Sequence, residues 1–305
     1  MSTDNFIDSY SIYANKFSYM GRPLTRNPDD ADEFVIGLPY ELGTSGRSGT
    51  RSGPTGIRGA SSNLRWDEKR WPWDFNLFDR IRVADYGDLE FPTGNHDGLF
   101  DQVEDHYGKL LAAGKKILSL GGDHFVTLPL LRAHHRQFGK LAMIHFDAHT
   151  DTYREDDAIY NHGSMFYHAP REGVIDADKS IQIGIRTEYT ESRHEFEVIS
   201  AAVANDLSVE AIIERIHQRV GDSPCYLTFD IDCLDPSYAP GTGTPVVGGM
   251  TSDRALKIIR GLQGTNLIGM DLVEVAPSYD HAEITSLAGA TLGLEMLYVL
   301  ASNRS

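Results

Sequence analysis

The chain has 305 residues, 41% of them hydrophobic and 24% charged, which is the balance of a globular protein with room for a large core. A formal net charge of −16 argues against nucleic-acid binding, which needs basic surface for phosphates, and favours small cationic partners. Residues 1–19 have no apolar signal core, no run of about 18 apolar residues occurs, and two cysteines make no disulfide framework; the expectation is a cytoplasmic chain without a membrane span.

Residues 1–32 read as an irregular N-terminal arm, and residues 33–305 as a single domain without linker or repeat. Residues 33–38 form the first strand candidate. The Gly/Ser-rich loop from Gly43 to Pro54 follows; it lacks the ending of a phosphate loop and reads as a site rim or a mobile surface loop. A helix is expected over 54–64. Trp66, Trp71 and Trp73 cluster in a short loop, where core packing or a subunit contact is the simplest reading. A strand over 82–85 leads to an amphipathic helix over 99–113, stopped by Gly114, with His106 as a surface histidine. Residues 116–120 are strand-like and end in Gly121-Gly122-Asp123-His124, where two glycines permit a sharp turn. The next helix has Thr127 as N-cap and Pro129 in its first turn, with His134 and His135 near its far end. Further strands are expected at 140–146, 181–186, 225–229 and 267–275. Further helices begin at His162-Gly163 as a short run, at Ser208, at Thr251 and at about Glu283. Strands alternate with helices, which predicts a mainly parallel sheet covered on both faces; a (β/α)₈ barrel is the alternative.

The chemistry concentrates at three strand ends. Asp147-Ala148-His149-Thr150-Asp151 follows a short apolar run, and residues two apart on an extended chain share a face, so Asp147, His149 and Asp151 can converge. Alone, this fits a metal site or a hydrogen-bonded polar cluster equally. Two more strands move the balance: 225–229 ends in Asp230-Ile231-Asp232, and 116–120 delivers His124. In parallel α/β sheets the carboxyl edge is where sites form. The set His124, Asp147, His149, Asp151, Asp230 and Asp232 holds four carboxylates and two imidazoles. That is more than a tetrahedral structural zinc requires. It suits two hard divalent ions with shared carboxylates, which together activate water for hydrolysis.

These three motifs, in this order, resemble the signatures of the ureohydrolases: the arginases, agmatinases and their relatives, and most of all the bacterial agmatinases. The resemblance runs from about Gly37 to the carboxyl terminus and includes Leu234-Asp235-Pro236, Gly241-Thr242-Gly243-Thr244-Pro245 and Val273-Glu274-Val275. It implies a three-layer α/β/α arginase-like fold with a mainly parallel eight-stranded sheet, two Mn²⁺ per subunit, and a homotrimer or homohexamer. It further implies that the six residues divide between the two ions and that a bridging hydroxide attacks a guanidinium carbon. Asp151 would orient that hydroxide and pass its proton to the leaving amine. His162 would shuttle protons or contact substrate, Glu274 would receive the guanidinium, and Thr244 would hold Glu274. Without the resemblance, His162 is a helix N-terminal residue and Glu274 a strand-end ion-pair partner.

Within that family the residues favour an amine-tailed substrate. The loop Thr152–Asn161 carries Glu155, Asp156 and Asp157, which repel a carboxylate and tolerate an amine, offset in part by Arg154. Arginases place aspartates after the Ile-Gly-x-Arg strand, where this chain has Thr187-Glu188-Tyr189. The expected activity is hydrolysis of agmatine to putrescine and urea. The alternatives are a guanidinobutyrase or guanidinopropionase, and less so an arginase. From other classes come a metallo-deacetylase of related fold and a catalytically silent metal-binding protein.

Overall fold

Eight strands form one sheet in the order β2-β1-β3-β8-β7-β4-β5-β6, and every pairing within it is parallel. The computed structural model describes residues 17–66, 69–91, 95, 97–154, 160–191 and 194–304. In chain order the elements are β1 (Glu33–Leu38), α1 (Gly53–Ser61), α2 (Leu77–Arg80), β2 (Val83–Asp88), α3 (Asp97–Ala112), β3 (Lys116–Gly121), α4 (Thr127–Phe138), β4 (Ala142–Phe146), α5 (Met165–Arg171), β5 (Ile181–Ile185), β6 (Glu197–Ser200), α6 (Ala201–Asp206), α7 (Val209–Val220), β7 (Cys225–Asp230), α8 (Ser252–Arg260), β8 (Leu267–Val273) and α9 (Ile284–Ser302).

The sheet is the middle of three layers because its strands are apolar on both faces. Val35, Leu118, Ile144, Leu227 and Met270 pack against α1, α2 and α6 to α9. Their neighbours Phe34, Ile117, Met143 and Tyr226 point the other way, onto α3, α4 and α5. The sheet ends in β2 on one side and β6 on the other, so it is open and the barrel alternative falls. β6 is the strand that the apolar pattern did not mark: its four residues are mostly half-buried, and Ile199 alone among them is fully buried.

Several local expectations shift. Thr127 is the first residue of α4, not its cap. Asp123 caps the preceding turn by accepting from the Phe125 N–H at 3.0 Å, while the Thr127 hydroxyl donates to Asp271 at 2.9 Å. Ser208 and Thr251 do cap their helices, accepting from the Ala211 and Arg254 N–H groups. Trp73 is buried and stacks on Tyr298 at 5.1 Å, whereas Trp66 and Trp71 are exposed. His134 is fully buried and donates from Nδ1 to the Leu130 carbonyl at 2.7 Å. Residues 17–32 pack on the body: the Tyr19 hydroxyl donates to the Ala290 carbonyl at 2.6 Å. Of the arm, residues 1–16 lie outside the described residues.

α9 is long and apolar enough to cross a membrane, a feature that the sequence reading passed over. It is instead the central helix of its layer, buried along 83% of its apolar window and packed on α1, α8 and β8. Cys225 and Cys233 are free and buried.

Candidate active site

Four adjacent central strands, β3, β8, β7 and β4, deliver the chemistry at one edge. Their carboxyl ends lead into His124, Glu274, Asp230 and Asp147 respectively. The turn after β3 needs Gly122: its φ is 33°, and a Cβ there would lie 2.5 Å from the Tyr40 carbonyl oxygen. Asp151 and Glu274 hold left-handed backbone at φ 51° and 64°, which bulky residues rarely adopt and which ends β8 at Val273.

All six sequence-derived ligand candidates converge. His124 Nδ1 lies 3.1 Å from Asp147 Oδ2, 2.9 Å from Asp151 Oδ2 and 3.3 Å from Asp230 Oδ2. His149 Nδ1 lies 3.3 Å from Asp147 Oδ1 and 3.1 Å from Asp232 Oδ2. Asp147 belongs to both groups, so the cluster reads as two donor sets sharing one carboxylate. Except for half-buried His149, these side chains are buried.

Charge explains why such a set needs cations. Burial pushes the Asp151 carboxyl up to about 7, with the Asp147 charge adding to it; burial, then the neighbouring Asp232, raises Asp230 well above the usual range. Burial works against charge on both histidines, but the aspartates outweigh it, lifting His149 to about 12 and His124 well above its ordinary value. Asp147 is also penalised by burial, yet the surrounding imidazoles hold it well below the ordinary range. His124 Nδ1, although within reach of three carboxylates, makes no well-formed hydrogen bond. An orphaned buried imidazole nitrogen facing three crowded carboxylates, with a fourth at His149 beside them, fits a pair of hard divalent ions.

His145 is a residue that the sequence reading missed. The Gln182 side-chain amide donates to the Thr150 carbonyl at 2.7 Å, which fixes its orientation, and also to His145 Nδ1 at 2.9 Å. The proton of His145 therefore sits on Nε2 and donates to Asp147 Oδ2 at 2.8 Å. Burial depresses its pKa to about 4, so the ring is neutral and orients the Asp147 carboxylate. The signal was available: His145 is two residues before Asp147 on one strand face.

A cavity of about 530 Å³ opens over the cluster, lined by Leu42–Ser45, His149, Asp151, Tyr153, Asn161–Gly163, Asp230 and Thr244. The Gly43 loop is thus a site rim: the Gly43 N–H donates to Asp123 Oδ2 at 2.7 Å, and the Ser45 N–H donates to His162 Nε2 at 3.1 Å. His162 Nδ1 lies 2.9 Å from Glu274 Oε1, which also accepts the His124 N–H at 2.8 Å; Glu274 Oε2 is buried with no partner among the described residues. Burial opposes charge on His162, but Glu274 outweighs it and raises the pKa to about 9. Thr244 departs from expectation: its hydroxyl donates to Asp232 Oδ2 at 3.3 Å rather than holding Glu274. The acidic run Glu155–Asp157 lies outside the described residues.

The model of the arginase family matches residues 31–298. The chain belongs to the arginase family. It is 56% identical to an agmatinase of Serratia proteamaculans over all of both chains, and 53% identical to one of Shigella dysenteriae over all of both chains. A solved structure titled as a hypothetical agmatinase from Burkholderia thailandensis superposes with a TM-score of 0.92 at 46% identity, covering 95% of this chain and 92% of that one. A proclavaminate amidino hydrolase from Streptomyces clavuligerus superposes with a TM-score of 0.91 at 37% identity, covering 96% and 99%. These superpositions show that the open parallel α/β sheet is the fold of those relatives.

Proposed function

We propose that this arginase-family chain is an agmatinase, hydrolysing agmatine to putrescine and urea at two Mn²⁺ ions held by His124, Asp147, His149, Asp151, Asp230 and Asp232. The observation that carries the reading is Glu274. One of its oxygens is tied by His124 and His162, and the other is buried and unpaired one hydrogen bond behind a cavity-lining histidine. A planar guanidinium offers donors in a fork that matches such a carboxylate. Relatives 53–56% identical across the chain and named agmatinase support the amine tail, as does the net charge of −16.

Two such ions, held by these six residues, would supply a nucleophile at neutral pH by lowering the pKa of bound water. The chain's own residues do the rest. Glu274 orients the guanidinium plane, which brings its carbon over the carboxylate cluster. Asp151 lines the cavity, where its carboxylate would hold the nucleophile's proton and hand it to the departing amine. His162, clamped between Ser45 and Glu274, holds a proton beside the guanidinium nitrogens. The Asp232 carboxylate is steadied by the Ala148 N–H at 3.0 Å and by Thr244, which also lines the cavity where substrate enters. The proposed assembly is a homotrimer or homohexamer, read by light scattering, and the proposed compartment is the cytoplasm, in keeping with two free cysteines.

The test is urea release from manganese-loaded protein offered agmatine, arginine, guanidinobutyrate and guanidinopropionate in parallel. Strong preference for agmatine is the expected result. Preference for a guanidino acid would overturn the tail assignment, and no urea from any of the four would overturn the chemistry.

A further inference from the structure

We propose that Thr228 and Asp271 are positioning residues for His124, deciding which of its ring nitrogens faces the aspartate cluster. The inference rests on the metal reading above and adds two residues to it. Parallel register sets Thr228 of β7 beside Asp271 of β8. Asp271 Oδ1 accepts the Thr228 hydroxyl at 2.7 Å; its Oδ2 accepts Thr127 at 2.9 Å and the Tyr226 hydroxyl at 3.0 Å. Thr228, Asp271, Thr127, Tyr226 and His124 are all at 0% exposure.

The consequence follows from donor counting. A carboxylate only accepts, and a threonine hydroxyl has one proton. Thr228 gives that proton to Asp271, so its oxygen can only accept from His124 Nε2, 2.9 Å away. In the neutral ring that a bound cation requires, the proton is thereby fixed on Nε2. Nδ1 is left with a bare lone pair, and Nδ1 is the atom within 2.9–3.3 Å of Asp151, Asp147 and Asp230. A cation needs that lone pair. The opposite tautomer would set an N–H against the cation, and a ring with no partner at Nε2 would hold either tautomer.

The test compares four full-length chains by calorimetric titration with Mn²⁺, alongside denaturant unfolding without added metal. Thr228→Val keeps the shape and removes the relay; one of its two Mn²⁺ sites should weaken by about 10–100-fold while the other keeps its affinity. Thr228→Ser keeps the hydroxyl and should restore binding to within about threefold of the wild type. Thr127→Val removes a hydroxyl from the same Asp271 without touching His124. It should lose stability as Thr228→Val does yet keep its Mn²⁺ affinity, which separates positioning from mere packing. Should Thr228→Val not fold, Thr228→Cys carries the same expectation, since sulfur is a weak acceptor. Wild-type affinity in Thr228→Val or Thr228→Cys, or equal loss in Thr127→Val, overturns the proposal alone. A wild-type chain that takes up no Mn²⁺ sinks the metal reading and this inference together.

Discussion

Oε1 of Glu274 accepts from the main-chain N–H of His124 at 2.8 Å and lies 2.9 Å from the ring of His162, so the proposed substrate carboxylate is tied to a metal-ligand candidate and to a cavity histidine at once. Its free Oε2 is the group that the guanidinium would meet. Replacing Glu274 with Ala removes that acceptor without removing any of the six ligand candidates. The expected outcome is a fall in kcat/KM for agmatine of at least about 10²–10³-fold, the scale on which single oriented polar contacts act in catalysis. Metal content measured by atomic absorption should stay at the wild-type level. Turnover persisting in the variant would remove Glu274 from the substrate site.

Asp232 behaves differently, because it faces His149 at 3.1 Å and belongs to one of the two donor sets. Asp232→Asn keeps the volume and gives up a charged donor. Metal occupancy and activity should fall together. Wild-type protein in Mn²⁺ at a hundredfold excess over Kd should gain about 2.7 kcal/mol against unfolding, a gain that shrinks with the logarithm of the affinity. The variant should therefore show a much smaller Mn²⁺-dependent rise in Tm. Full activity and an undiminished rise would refute the ligand assignment.

The metal candidates were legible because carboxylates and imidazoles cluster just past short apolar runs, although the chain turns there instead of staying extended: Asp230 accepts from the Asp232 N–H and Asp147 from the His149 N–H. Glu274 and His162 came through the family resemblance, since their partnership spans 112 positions and no local pattern announces it. His145 was missed because an imidazole inside an apolar run reads as core, and only the Gln182 amide reveals what it holds. Thr127 looked like a cap because threonine before a helix usually is one. Its hydroxyl instead serves Asp271, a residue from a strand 144 positions away. The helices and central strands fell out of apolar periodicity; β6 did not, because a short edge strand buries too little to leave that mark.

Arg186 shows how the turn after β7, which carries Asp232, is held. Its guanidinium donates to the carbonyls of Asp232 at 2.6 Å, Val246 at 2.7 Å and Gly184 at 3.0 Å, with longer contacts to Leu234 and Cys233. A planar fork can reach several carbonyls at once, which a single ammonium cannot. Arg186→Lys should leave at least two buried carbonyls unpaired, at about 1–3 kcal/mol each. The expected outcome in urea unfolding is a loss of about 2–4 kcal/mol with an unchanged m-value. A loss under about 0.5 kcal/mol would mean that water or neighbouring groups replace the guanidinium without cost.

Glu33 sits at the opposite edge of the sheet from the metal candidates and gives a pH dependence separate from theirs. It is buried to 1% exposure, with Arg304 Nη2 2.8 Å from Oε1, and Oε2 has no partner. Burial pushes its carboxyl from 4.5 up to about 7, against the pull of Arg304 and Lys116. The sign follows from proton counting: between those two values the unfolded chain has released the proton and the folded chain still holds it. Stability contributed at this position is therefore full below about 4.5 and falls as pH rises towards 7, by on the order of 3 kcal/mol in total. Glu33→Gln carries no such proton. Urea unfolding of both proteins in the presence of chelator at pH 5, 6, 7 and 8 should show the wild type losing ground to the variant at each step up to 7, then holding level. Other titrating groups are common to both chains and cancel in the difference. A difference that stays constant from pH 5 to 8 would mean that Glu33 is already ionised in the folded chain at pH 5, with the Arg304 pairing outweighing its burial.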